Sequence, residues 1–141
     1  MIQRIQSVYL FFGALLLALV VIFSNAWMGT VVALHTSLSW VVFALSALGG
    51  LFGFATVFLY KDRKMQTRLI AIAQWIDLAL IFVLVAALGM FTFGSEQSAP
   101  LPSAMSYVVL LLPLAAYILL SLARRAVRKD IEIVRSMDRL R

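Results

Sequence analysis

The chain has no cysteine, a single histidine, three prolines and few charges. Without cysteine there is no disulfide, no thiolate metal site, no lipoprotein anchor and no quinone-linked thiol chemistry. With His35 as the only histidine, a haem or metal cluster built on histidine ligands is not expected. No phosphate-binding glycine loop, paired carboxylates, nucleophile triad or metal-ligand spacing occurs. No catalytic residue, cofactor or metal is therefore expected, and the sequence reads as a non-enzyme. Charged residues make up 13% of the chain, against about 25% in ordinary soluble domains.

What the chain has instead is apolar surface. Hydrophobic residues account for 64% of its 141 positions. A soluble domain of this size cannot hide that much, so an integral membrane protein is expected. Four apolar runs, at residues 5–23, 38–60, 69–93 and 103–123, are each near the length of a spanning segment. In lipid every backbone polar group must be satisfied within the segment, so these runs read as helices. The expected fold is an all-α membrane protein with four transmembrane helices over residues 1–123. A basic, amphipathic cytoplasmic tail follows over 124–141.

The twelve basic residues decide the orientation. Arg4 precedes the first run. Lys61, Arg63, Lys64 and Arg68 lie between the second and third. Arg124, Arg125, Arg128, Lys129, Arg135, Arg139 and Arg141 follow the fourth. The other two connections, 24–37 and 94–102, carry no Lys or Arg. The positive-inside rule then places both termini and the middle loop in the cytoplasm. Arg4 with the following apolar stretch and Ser24-Asn25-Ala26 also has the outline of a signal peptide. The run is long for that, so it is read as a retained helix. Tyr9, Tyr60 and Trp75 on one side and Trp27, Trp40 and Tyr107 on the other suit interfacial anchors.

Within the second run, Gly49 and Gly53 form a G-x-x-x-G pair, and Ser46 with Gly50 repeats small-x-x-x-small. Small residues one turn apart let a second backbone approach, either within the chain or from a partner. Ser103 is a natural N-cap for the fourth helix, and Pro113 is expected to kink it. Asp77 is the one acid inside a spanning run, with Gln74 one turn earlier on the same face and Tyr117 at comparable depth. An ionised Asp there costs on the order of 2.5–3.5 kcal/mol. It is either a proton-exchanging site or a hydrogen-bonded lock between helices. Residues 78–91 carry no polar side chain, which favours the lock. At the N-terminus, Gln3, Gln6, Tyr9 and Gly13 share a face, an interfacial cap or a docking surface for the cytoplasmic loop.

In the tail, Val127, Ile131, Val134 and Met137 recur at helical spacing. Arg128 with Glu132 and Arg135 with Asp138 are spaced to pair. An amphipathic helix of about 27 Å is expected, continuing the fourth helix or turned onto the membrane. Anionic headgroups and other membrane-protein subunits are the expected partners, with docking through Gln3, Arg4, Gln6, Lys61, Arg63, Lys64 and the seven tail cations. DNA is not expected. RNA or a ribosome is the weaker candidate, because the tail lacks aromatics and is interleaved with acids.

Three segments together resemble a known family. They are Met1-Ile2-Gln3-Arg4-Ile5-Gln6 with Tyr9-Leu10, then Tyr60-Lys61-Asp62-Arg63-Lys64-Met65-Gln66 with Arg68-Leu69. The third is Lys129-Asp130 with Val134-Arg135-Ser136 and Asp138-Arg139-Leu140-Arg141. The chain is similar over its whole length to a bacterial family of small four-helix membrane proteins catalogued as a domain of unknown function. One departure is Ile131, where an acid is expected after Lys-Asp; here the acid is Glu132. The resemblance implies an inner-membrane location and supplies no activity. The leading expectation is an accessory or assembly subunit of a larger membrane complex, with respiratory and protein-translocation machinery as candidate hosts. The alternatives are a small oligomeric proton-coupled transporter using Asp77 and a lipid-organising scaffold.

Overall fold

A computed structural model describes residues 2–23, 36–59, 62–93 and 104–138. Among these residues the chain forms four α-helices. They are α1 (Ile2–Ile22), α2 (Thr36–Phe58), α3 (Arg63–Phe93) and α4 (Ala104–Asp138). Each is long and apolar enough to cross a membrane. Tyr60, Trp27, Ser103, His35, Lys61, Arg139 and Arg141 lie outside the described residues, as do the side chains of Gln3, Arg4 and Met137.

Two boundaries differ from the hydropathy reading. Helix α3 begins at Arg63, six residues before the apolar run. Asp62 is its N-cap: its Oδ1 accepts from Met65 N at 3.0 Å and its carbonyl from Gln66 N at 2.9 Å. Helix α4 continues past residue 123, so the tail helix takes the first of its two expected placements. It passes through Pro113 and continues to Asp138 as one element. At 1.5 Å per residue α4 is about 52 Å long and α3 about 46 Å. A hydrocarbon core is about 30 Å thick, so both extend beyond it.

The helices form a ring in chain order, each packed on its neighbours, with α1 closing on α4. Small residues set the close approaches. A methyl built on Gly53 would lie 3.3 Å from Ala14 Cβ, and one on Gly13 would lie 3.3 Å from Leu120 Cδ2. Gly49 faces Leu17 and Ile76, and Gly50 faces Ala14 and Ala18. Gly13 is thus a packing residue of the α1–α4 interface.

The core holds Leu10, Leu17, Val20, Ile70, Leu80, Leu84, Val109, Leu120 and Val127. The surface is as apolar as the core: Phe82, Trp75, Trp40 and Leu51 are each about 70% exposed. Polar side chains are inside, with Gln6, Ser46, Thr56, Gln66, Gln74 and Asp77 all buried. This distribution suits a protein whose solvent is hydrocarbon, where polar groups gather between helices.

Candidate functional site

The buried polar groups are satisfied locally where they can be. Ser46 Oγ donates to its own helix at Val42 O, 2.7 Å, and Thr56 Oγ1 to Gly53 O, 2.6 Å. Gln66 Nε2 donates to Thr56 O at 3.1 Å. That carbonyl belongs to the last turn of α2, where no following helical N–H accepts the role, so α3 caps α2.

The remaining polar groups converge between α3 and α4. Gln74 Nε2 donates to Ser121 Oγ at 2.9 Å, and Arg124 Nη1 donates to Gln74 Oε1 at 3.0 Å. One amide therefore ties two turns of α4 to α3. Arg124 bends back toward the bundle to make this bond, which its position at the end of the apolar run did not suggest. A second tie lies nearer the helix ends, where Arg63 Nη1 meets Asp130 Oδ2 at 2.9 Å.

Asp77, one turn beyond Gln74, has no solvent exposure, and neither carboxyl oxygen has a hydrogen-bond partner among the described residues. Gln6 Nε2 on α1 and Arg124 Nε are likewise buried without a partner. Tyr117 is half-buried on α4 and takes no part in the hydrogen-bonded set. Past Asp77 the interior is filled by Leu80, Leu84 and Ala87 of α3, Leu17 and Val20 of α1, and Val109 and Pro113 of α4. Among the described fully buried residues Ser46 adds a hydroxyl at that level, and it is bonded to its own helix.

The expected packing residues Ser46, Gly49, Gly50 and Gly53 lie along α2 on the side facing α1, with Gly49 also meeting α3. A groove of about 490 Å³ runs between α1 and α2, walled by Phe11, Leu15, Leu51 and Phe54, with Ser46 as its one polar residue. Of the cations expected on a docking face, Arg63 and Arg124 are engaged within the bundle. Lys64, Arg125, Arg128, Lys129 and Arg135 are exposed. Among the described residues no three His, Cys, Asp or Glu side chains cluster to hold a metal ion.

Four spanning helices with polar groups inside and apolar groups outside define a multi-pass helical membrane protein. The chain belongs to the family described as Domain of unknown function (DUF4293), whose model matches residues 2–140. Neither a curated protein nor a solved structure matches it. That description adds no chemistry to the site.

Proposed function

We propose that the protein is a non-enzymatic accessory or assembly subunit of a larger complex in the bacterial inner membrane, with both termini cytoplasmic. The observation that carries this reading is the unbroken run of α4 to Asp138. Its base is held to α3 by Gln74–Arg124 and Arg63–Asp130. Beyond that base, residues 132–136 are exposed, including the apolar Ile133 and Val134. A rigid helix that is fixed at its root and offers charged and apolar groups at its tip suits docking to another subunit. The exposed Arg125, Arg128 and Lys129 lie nearer the membrane, where anionic headgroups favour them by about 1 kcal/mol each.

Mild-detergent affinity purification with mass spectrometry tests the reading. The full chain is expected to carry membrane-protein partners, such as respiratory or translocation subunits. A chain truncated after Asp130 keeps its salt bridge to Arg63 and is expected to lose them. Recovery of the protein alone, as a homo-oligomer, overturns the reading. The competing transporter reading draws support from the buried Asp77 carboxyl. It draws none from the filling beyond that residue, where the buried side chains described on α3 are the apolar Leu80, Leu84 and Ala87. Retention of phospholipid alone, without protein partners, is the outcome that favours a lipid-organising scaffold.

A further inference from the structure

We propose that the groove between α1 and α2 is a binding site for one hydrocarbon chain of a membrane phospholipid, held through the chain and not through the headgroup. The inference does not rest on the accessory-subunit reading, which concerns the far end of α4.

The groove exists because small residues meet at its base. Ala14 and Ala18 of α1 face Gly50 of α2, where an added Cβ would stand 3.7 Å from Ala14 O and from Ala18 N. Large side chains rise on both sides, Phe11 and Leu15 from α1 and Leu51 and Phe54 from α2, each between 41% and 67% exposed. The volume of about 490 Å³ lies in the range of about 300–1,000 Å³ typical of small-ligand sites.

The lining excludes water. Ser46 is its one polar residue, and that hydroxyl donates to Val42 O at 2.7 Å and to Phe43 O at 3.1 Å. A buried water needs about two to four polar partners, and apolar cavities stay dry. An empty trough would leave its walls without contact atoms on one side. In a bilayer the remaining occupants are a hydrocarbon chain and another helix.

The shape favours the chain. Gly53 lies beside Ala14 and Gly49 beside Leu17, so the two helices run antiparallel and Phe11 and Phe54 share one end of the groove. Their ring centroids are 6.4 Å apart, and the rings close that end. A helix is about 10–12 Å across and spans about 30 Å of hydrocarbon. It would ride on the two rings and leave the floor unfilled. From Phe11 to Ile22 the groove is about 16 Å long, close to half of that thickness and so to one leaflet. A flexible chain can end inside it. At the open end, Ser46 is about 15 Å along α2 from Thr36, too deep for a headgroup. Burial of methylenes is then the whole of the recognition, and lipids with the same chains bind alike whatever their charge.

Photo-crosslinking of the full chain in lipid nanodiscs tests this, with a trace of phosphatidylcholine carrying a diazirine near the end of one acyl chain. Adducts are expected to concentrate in residues 11–22 and 46–54, and to be sparse at other lipid-facing residues such as Phe82, Val85 and Ile118, which are more exposed than Phe11 or Phe54. Phosphatidylglycerol with the same label is expected to give the same pattern. Ala18 and Ala47 line the groove and are exposed, so Ala18→Leu with Ala47→Leu fills it without entering the core. That variant is expected to lower the groove adducts about tenfold, as the loss of roughly two buried methylenes implies, with those at Phe82 unchanged. Adducts spread evenly over the exposed residues of the wild type overturn the proposal, and this result does not depend on any variant folding. Groove adducts that survive in the double variant, or that form only with the anionic lipid, also overturn it. So does a homodimer in native mass spectrometry that the double variant dissociates, because a second copy would then fill the groove.

Discussion

Arg63 in the first turn of α3 and Asp130 near the end of α4 form a salt bridge, Nη1 to Oδ2 at 2.9 Å, although 67 positions separate them in the chain. A cation at a helix N-terminus is disfavoured by the helix dipole. Asp130 offsets that penalty and in doing so marks where α4 stops being held by its neighbour.

The pair retains contact with solvent, at 29% and 15% side-chain exposure, so its strength is modest. Arg63→Gln or Asp130→Asn is expected to cost about 1 kcal/mol or less. The larger effect is local: limited proteolysis in nanodiscs is expected to cut residues 131–138 faster in either variant. The exchanged pair, Arg63→Asp with Asp130→Arg, is expected to restore protection. Unchanged cleavage in both single variants would show that the bridge does not hold α4.

Gln74 makes two bonds across the α3–α4 interface and is only 7% exposed. Gln74→Leu leaves Ser121 and Arg124 without their partner and is expected to cost about 1–3 kcal/mol. Ser121→Ala removes one hydrogen bond between membrane helices and is expected to cost about 0.6 kcal/mol. Thermal unfolding in mild detergent checks the order. A Ser121→Ala loss as large as that of Gln74→Leu would mean that the Arg124 bond contributes nothing.

Much of this architecture is legible in the sequence, and the reason lies in the backbone. Lipid forces spanning segments to be long apolar helices, so four runs are readable by length alone. Their ends are less so. Arg63, Lys64 and Arg68 end the apolar run, yet a helix at the membrane surface tolerates charge, and α3 continues through them to its cap at Asp62. The Asp62 cap was the available signal. The faces of the helices are hardest to read. In water a buried stripe is apolar and the rest polar; here exposed Phe82 and Leu51 are as apolar as buried Leu80 and Leu84. Periodicity therefore could not say that Gly13 meets Leu120. Only the polar residues break the degeneracy, and Gln74 and Asp77 did point inward. That Arg124 would be the partner of Gln74 followed from register between α3 and α4, which no local pattern encodes.

The approach of Gly53 to Ala14 gives a direct check of the α1–α2 interface. A Cβ on Gly53 would stand 3.3 Å from Ala14 Cβ, close to the spacing of about 3.5–4.5 Å found across disulfides. The chain has no cysteine, so the background is clean. Ala14→Cys with Gly53→Cys is expected to form an intramolecular disulfide on mild oxidation in membranes, seen as a mobility shift reversed by reductant. Disulfides that form between chains instead would place this contact in an oligomer interface. Gly53→Leu, which cannot fit beside Ala14, is expected to lower the unfolding temperature.

The orientation expected from charge placement can be tested in the same cysteine-free background. Of the twelve basic residues one precedes the first apolar run, four lie between the second and third and seven follow the fourth, and none lies in 24–37 or 94–102. Holding Lys and Arg on the cytoplasmic side is the dominant topological preference of short loops. Ser98→Cys is expected to react with an impermeant maleimide added outside intact spheroplasts. Ser136→Cys, in the exposed end of α4, is expected to react only after the membrane is opened. The reverse pattern would put the basic end of α4 outside the cell and remove the cytoplasmic docking role with it. Labelling of both from outside would show dual insertion, which so one-sided a charge distribution opposes.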